Sequence, residues 1–145
     1  MKKLLLIAAV VLSVFALWYY WHNPLTAKVK IKDQIFLVEV AVTAKERERG
    51  LSGRTTLAPN RGMLFVFASP GVYHFWMREM RFPLDFIWIK DQTVVDLSEN
   101  IPSPTGGEKP VELAPRQPVD KVLEVNAGEV TKYGITVGDK VDFLN

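Results

Sequence analysis

The chain has 145 residues, 18 basic and 16 acidic side chains, a formal charge of +2, 48% hydrophobic residues and no cysteine. This is room for one domain and a short appendage, with enough apolar material for a packed core rather than disorder. Without cysteine there are no disulfides, thiol nucleophiles or thiolate metal sites, and with only His22 and His74 there is no multi-histidine centre within one chain.

Residues 1–21 read as an anchor. Lys2-Lys3 precede an apolar run from Leu4 to Trp21 that is broken only by Ser13. As a helix the run reaches about 27 Å, close to the ~30 Å hydrocarbon core of a bilayer. It ends in Trp18-Tyr19-Tyr20-Trp21, aromatics that favour the membrane–water boundary. The expected partner of residues 4–21 is therefore the lipid bilayer. The N-terminus stays inside, and the folded part lies on the extracytoplasmic side of the cytoplasmic membrane. The alternative is a signal peptide cleaved near Leu25-Thr26-Ala27, which gives a secreted protein. Residues 22–27 form a linker and 28–145 the domain. Setting aside Lys2 and Lys3 leaves 16 basic side chains against 16 acids. That balance gives no basic face, so nucleic acid is not an expected partner.

Val29–Ile31 and Ile35–Val42 predict a hairpin around Asp33-Gln34. In the second strand Phe36, Val38, Val40 and Val42 share one face, and Ile35, Leu37, Glu39 and Ala41 the other. Both faces are largely apolar, so this strand is central. Thr43-Ala44-Lys45-Glu46 forms a capping box for a helix over 44–49, and Gly50 suits its stop. After a polar loop over 52–60, strands follow at 62–67, 73–77 and 84–90, with Pro70-Gly71 as a turn. Asp91-Gln92 turns into a strand over 93–97. Ile101 to Pro118 holds five prolines and two glycines and reads as a long loop. A strand over 119–125, a second short helix from Asn126-Ala127-Gly128-Glu129 to Gly134, and a closing strand over 141–143 complete the chain. The fold class expected is mainly β, a small antiparallel β-sandwich or partly closed barrel. Two short helices cover its ends, and one N-terminal transmembrane helix precedes it.

Phe65, Phe67, Phe75, Trp76, Phe86 and Trp88 read first as core, since each buried large apolar side chain stabilises by roughly 1.5–3 kcal/mol. Trp76 is the exception, because alternation points it away from Phe75 and Met77. Glu39, Asp85 and Glu124 interrupt apolar strands, where an acid is costly unless paired or hydrogen-bonded. Two readings stay open for them. Two converge as general acid and base for glycosidic hydrolysis, or each meets a base such as Arg54, Arg78 or Arg81 or faces solvent at a strand edge. His74 shares a face with Trp76 and lacks a nucleophile to activate. No serine sits in a nucleophile elbow, and there is no phosphate loop, dinucleotide fingerprint or calcium loop. No cofactor and no metal are expected.

Gly50-Leu51, Gly62-Met63-Leu64-Phe65-Val66-Phe67, Phe75-Trp76-Met77, Pro83-Leu84-Asp85-Phe86-Ile87 and Leu123-Glu124-Val125-Asn126-Ala127-Gly128 stand in this order along the chain. So do Gly134-Ile135 and Gly138-Asp139. From Val29 to Phe143 the chain resembles the family catalogued as domain of unknown function 192. The resemblance implies a compact, mainly β domain, often secreted or carried behind a hydrophobic segment, and implies no activity, cofactor or catalytic residue. Family members often carry Met and Arg soon after the Gly-Leu pair, and here Ser52-Gly53-Arg54 keeps only the Arg. Many have Asn-Thr where this chain has Glu79-Met80. The leading expectation is a non-catalytic binding or accessory domain of the cell envelope. Its small-molecule, glycan or protein ligand would sit near Trp76, Arg78, Arg81 and Asp85. A small envelope-glycan hydrolase using Asp85 with Glu39 or Glu124, and a structural partner domain of a membrane complex, are the alternatives.

Overall fold

The computed structural model describes residues 10–14 and 24–144. Residues 10–14 are helical, and the rest of the expected anchor lies outside the described residues. Among the described residues, no helix is long and apolar enough to cross a membrane.

The domain is mainly β. Strands β1 (Thr26–Ile31), β2 (Gln34–Ala41), β3 (Arg61–Gly71), β5 (Leu84–Lys90), β6 (Thr93–Ile101), β8 (Val119–Asn126) and β9 (Val141–Leu144) form one sheet in the order β6-β5-β8-β3-β2-β1-β9. β4 (Phe75–Trp76) and β7 (Glu112–Leu113) pair as a separate two-stranded ribbon. The helices are α1 (Ala44–Arg49) and α2 (Glu129–Lys132).

The sheet curls into a half-barrel rather than stacking as a sandwich. Its two edges meet at one end, where Thr93 bridges Lys140. There the Val94 N–H donates to Asp139 O and the Val141 N–H to Gln92 O. The sheet is not purely antiparallel, because β2 and β3 run parallel, with Glu39 opposite Met63 and Ala41 opposite Phe65. Parallel neighbours need a crossover, and α1 with the loop to Asn60 supplies it. The capping box of α1 forms as expected: the Thr43 hydroxyl accepts from the Glu46 N–H, and the Glu46 carboxylate accepts from the Thr43 N–H at 2.8 Å.

Three expectations need correction. Pro70-Gly71 is not a turn between strands but the end of β3, where the pairing with β8 shifts between Val66 and Gly71. A bulge accommodates the proline that a regular ladder excludes. The strand expected over 73–77 shortens to the two residues of β4. Within the proline-rich loop, Glu112–Leu113 pairs with β4 as β7.

A face of the sheet packs on each of two cores. Val29, Ile31, Phe36, Leu64, Ile87 and Val141, with neighbours from every strand of the sheet, fill the inside of the curl. Met63, Phe65, Leu84, Phe86, Trp88 and Val122 face outward and are covered by Leu51, Met77 and Met80. β5, with six successive buried residues, serves both. The second core carries the candidate site.

Candidate functional site

The outer face of β3, β8 and β5 is the floor of a cleft of about 190 Å³. The floor shows Phe65 and Phe67 of β3, Leu84 of β5 and Glu124 of β8. α1 forms one wall through Arg47, Glu48 and Arg49, and the segment from Tyr73 to Met80 forms the other.

Aromatic packing holds the second wall. The Phe75 ring meets Phe65, Phe86 and Trp88 edge-on, with centroids 5.0, 5.8 and 5.4 Å away. These are favourable quadrupole geometries. Tyr73 stacks on Phe67 at 3.6 Å, and its hydroxyl donates to Ser69 O. The Arg47 guanidinium lies 5.0 Å from the centre of the Phe67 ring and donates to Val66 O and Val42 O. Arg47 is thus pinned by backbone carbonyls. At the mouth the Ser52 hydroxyl donates to Arg78 O, and the Gly53 N–H donates to Glu79 O, which ties the two walls together.

Glu124 is the one carboxyl on this floor. It lies opposite Met63 of β3 and Phe86 of β5 and is only 6% exposed. Among the described residues, its side chain makes no hydrogen bond or ion pair, and burial alone acts on it; the buried carboxyl oxygen left unpartnered is Oε2 of Glu129, away from the cleft. Burial alone pushes its pKa up to about 8, because the charged form loses water and gains no partner. At neutral pH the group is therefore mostly a neutral acid, with one O–H to donate and a carbonyl to accept.

The other two acids are differently placed. Glu39 shares the row of Met63 and Glu124, but Arg54 holds it in a two-pronged pair at 2.6 and 2.7 Å. The Arg54 hydrogen bonds keep the Glu39 carboxyl below the usual range. Asp85 is fully buried. One of its oxygens accepts from the Asn100 N–H at 2.7 Å and the other from the Val130 N–H at 2.9 Å. It joins the end of β6 to the first turn of α2, on the opposite face from the cleft. No two of the three acids converge on one cavity.

Of the residues expected to hold a ligand, Trp76 lines the cleft and is 44% exposed. Arg78 stacks over the Trp76 ring at 5.1 Å and lines an adjoining shallow depression with Lys45, Arg49 and Glu79. Arg81 is exposed in the loop before β5. Sequence reasoning missed Arg47 and Arg49. Their signal was the basic last turn of a capped helix between two central strands, and only the crossover brings that turn beside β4. Among the described residues no cluster of three or more histidine or acidic side chains is arranged to hold a metal ion.

The family model DUF192, described as uncharacterized ACR, matches residues 27–143. No curated protein matches the chain. A crystal structure from Sinorhizobium meliloti 1021, named a "putative transcription regulator", is similar at TM-score 0.75 and 32% identity, over 83% of this chain and 95% of that one. A protein of unknown function from Novosphingobium aromaticivorans DSM 12444 is similar at TM-score 0.73 and 32% identity, over 83% of this chain and 87% of that one.

Proposed function

The chain belongs to the uncharacterized DUF192 family, and from that premise we propose that it is a non-catalytic binding domain of the cell envelope whose small-molecule ligand enters the aromatic cleft above Glu124. Residues 4–21 hold it in the cytoplasmic membrane, with the folded part on the extracytoplasmic side. The single observation behind the binding reading is the solitary Glu124 carboxyl. A carboxyl that no protein group meets, lining the base of a cleft, is suited to hydrogen-bond a guest.

Binding rather than catalysis follows from the same geometry. Hydrolysis of a glycosidic bond needs two carboxyl groups flanking it. Glu39 is committed to Arg54, and Asp85 serves the opposite face. Nucleic acid is not the proposed ligand, since beyond Lys3 basic and acidic side chains balance.

Indole is a suitable neutral probe. An engineered cavity of about 150 Å³ holds benzene, so a cleft of about 190 Å³ takes one or two rings. Added to the full chain in detergent, indole should shift the NMR signals of Phe75, Trp76 and Glu124, and Trp76→Ala should weaken binding about tenfold without moving the thermal midpoint. Shifts confined to other surfaces, or none, would overturn the reading. Protease added to sealed, right-side-out cells or spheroplasts should digest residues 28–145; protection of that domain contradicts the proposed topology.

A further inference from the structure

We infer that the ligand of the cleft is a small aromatic acid, its ring lying against Phe75 above Glu124 and its anionic group held at the mouth by Arg49 and Arg78. This rests on the cleft being a binding site, as proposed above.

The chemistry is divided along the depth of the cleft. The inner part is flat-sided and aromatic, and its one polar group is the side chain of Glu124. The mouth is charged. Arg47, Arg49 and Glu48 come from α1, and Lys45, Arg78 and Glu79 stand around the adjoining depression. Four basic groups thus face two acidic ones. Tyr73 and His74 are the other titratable side chains on the wall.

The basic groups differ in what they have left to give. Arg47 is occupied by Phe67 and two carbonyls. Among the described residues, the guanidinium of Arg49 makes no hydrogen bond or close ion pair, and that of Arg78 only stacks on Trp76. A guanidinium presents a planar fork of donors that matches a carboxylate. Stacking on Trp76 also pre-orders the Arg78 fork, so less freedom is lost when an anion binds. A cationic ligand would meet the wrong field at the mouth.

Three probes with one ring system separate the possibilities: indole-3-acetate, indole-3-acetamide and tryptamine, titrated calorimetrically into the full chain in detergent at pH 7 and low salt, with empty micelles as reference. The acetate should bind about tenfold more tightly than the amide, and tryptamine most weakly. Raising the salt should narrow the gap, because exposed charges are screened. Arg49→Gln combined with Arg78→Gln should bring the acetate down to the amide and leave the amide unchanged. Both residues are exposed, so the variant should keep its thermal midpoint. Equal binding of all three probes would overturn the acid assignment while leaving the cleft as a site. Tightest binding of tryptamine would overturn it in favour of a cation receptor. No binding of any probe would overturn the assignment together with the proposed function.

Discussion

Asp85 and Glu124 are both acids inside apolar strands, and their surroundings give them different work. Each Asp85 oxygen accepts a backbone N–H, from Asn100 and from Val130, so this carboxylate is a fastener. Asp85→Asn leaves one acceptor for two donors and turns an amide N–H₂ toward the other. The variant should lose about 1–3 kcal/mol of stability, the cost of an unmet buried donor. Urea titration measures the loss, while indole affinity should stay unchanged. Glu124 accepts nothing and pays no comparable structural role. Its folded pKa, near 8, stands above the ordinary value of 4.5. Between these limits the folded form holds a proton that the unfolded chain has released, so stability falls as pH rises through the window and stops falling above about 8. By linkage the total is at most about 5 kcal/mol. Glu124→Gln removes the slope. The variant should match the wild type near pH 4 and exceed it at pH 8.5 in urea midpoint. Parallel pH profiles would contradict the burial argument.

At the scale of elements, the seam between β3 and β8 fixes the position of Glu124. A Cβ added to Gly62 would lie 2.5 Å from the Glu124 carbonyl oxygen, a backbone atom that cannot swing aside. Glycine here allows close approach of two backbones rather than an unusual turn. Gly62→Ala should force the strands apart, destabilise by about 1–3 kcal/mol as overpacking does, and weaken indole binding as well. A stable variant with normal affinity would show that the seam has slack. The crossover between β2 and β3 matters in another way. It places the last turn of α1 beside the β4–β7 ribbon, and that junction makes the cleft.

Across the whole molecule, local pattern carried the strands and tertiary context carried the site. Two largely apolar faces mark β2 as central, and the apolar run of β5 belongs to a strand that is buried on both faces. The capping box placed α1, yet nothing local said that β3 returns parallel to β2, because orientation is decided by which neighbour the crossover reaches. Pro70-Gly71 reads as a turn because a bulge opposite Val119 leaves no mark in the residues themselves. Glu124 stood out in the sequence alongside Glu39 and Asp85. What distinguishes the three is the partner each meets from distant segments: Arg54 for Glu39, α2 for Asp85 and none for Glu124. Spacing along the chain does not encode that difference. Closure of the half-barrel through Val94, Asp139 and Gly138 leaves the inner core sealed. The outer face, under a two-residue ribbon, is where a guest has room.

Whether Glu124 is a neutral, guest-binding acid at the base of the cleft is decided by ¹³C NMR titration of its side-chain carboxyl, alone and with indole-3-acetate. A midpoint near 8 is expected in the free protein and a higher one when the ligand is bound, because the ring covers the carboxyl and removes the water that favours its charged form. A midpoint in the ordinary carboxylate range that the ligand does not move would contradict this expectation.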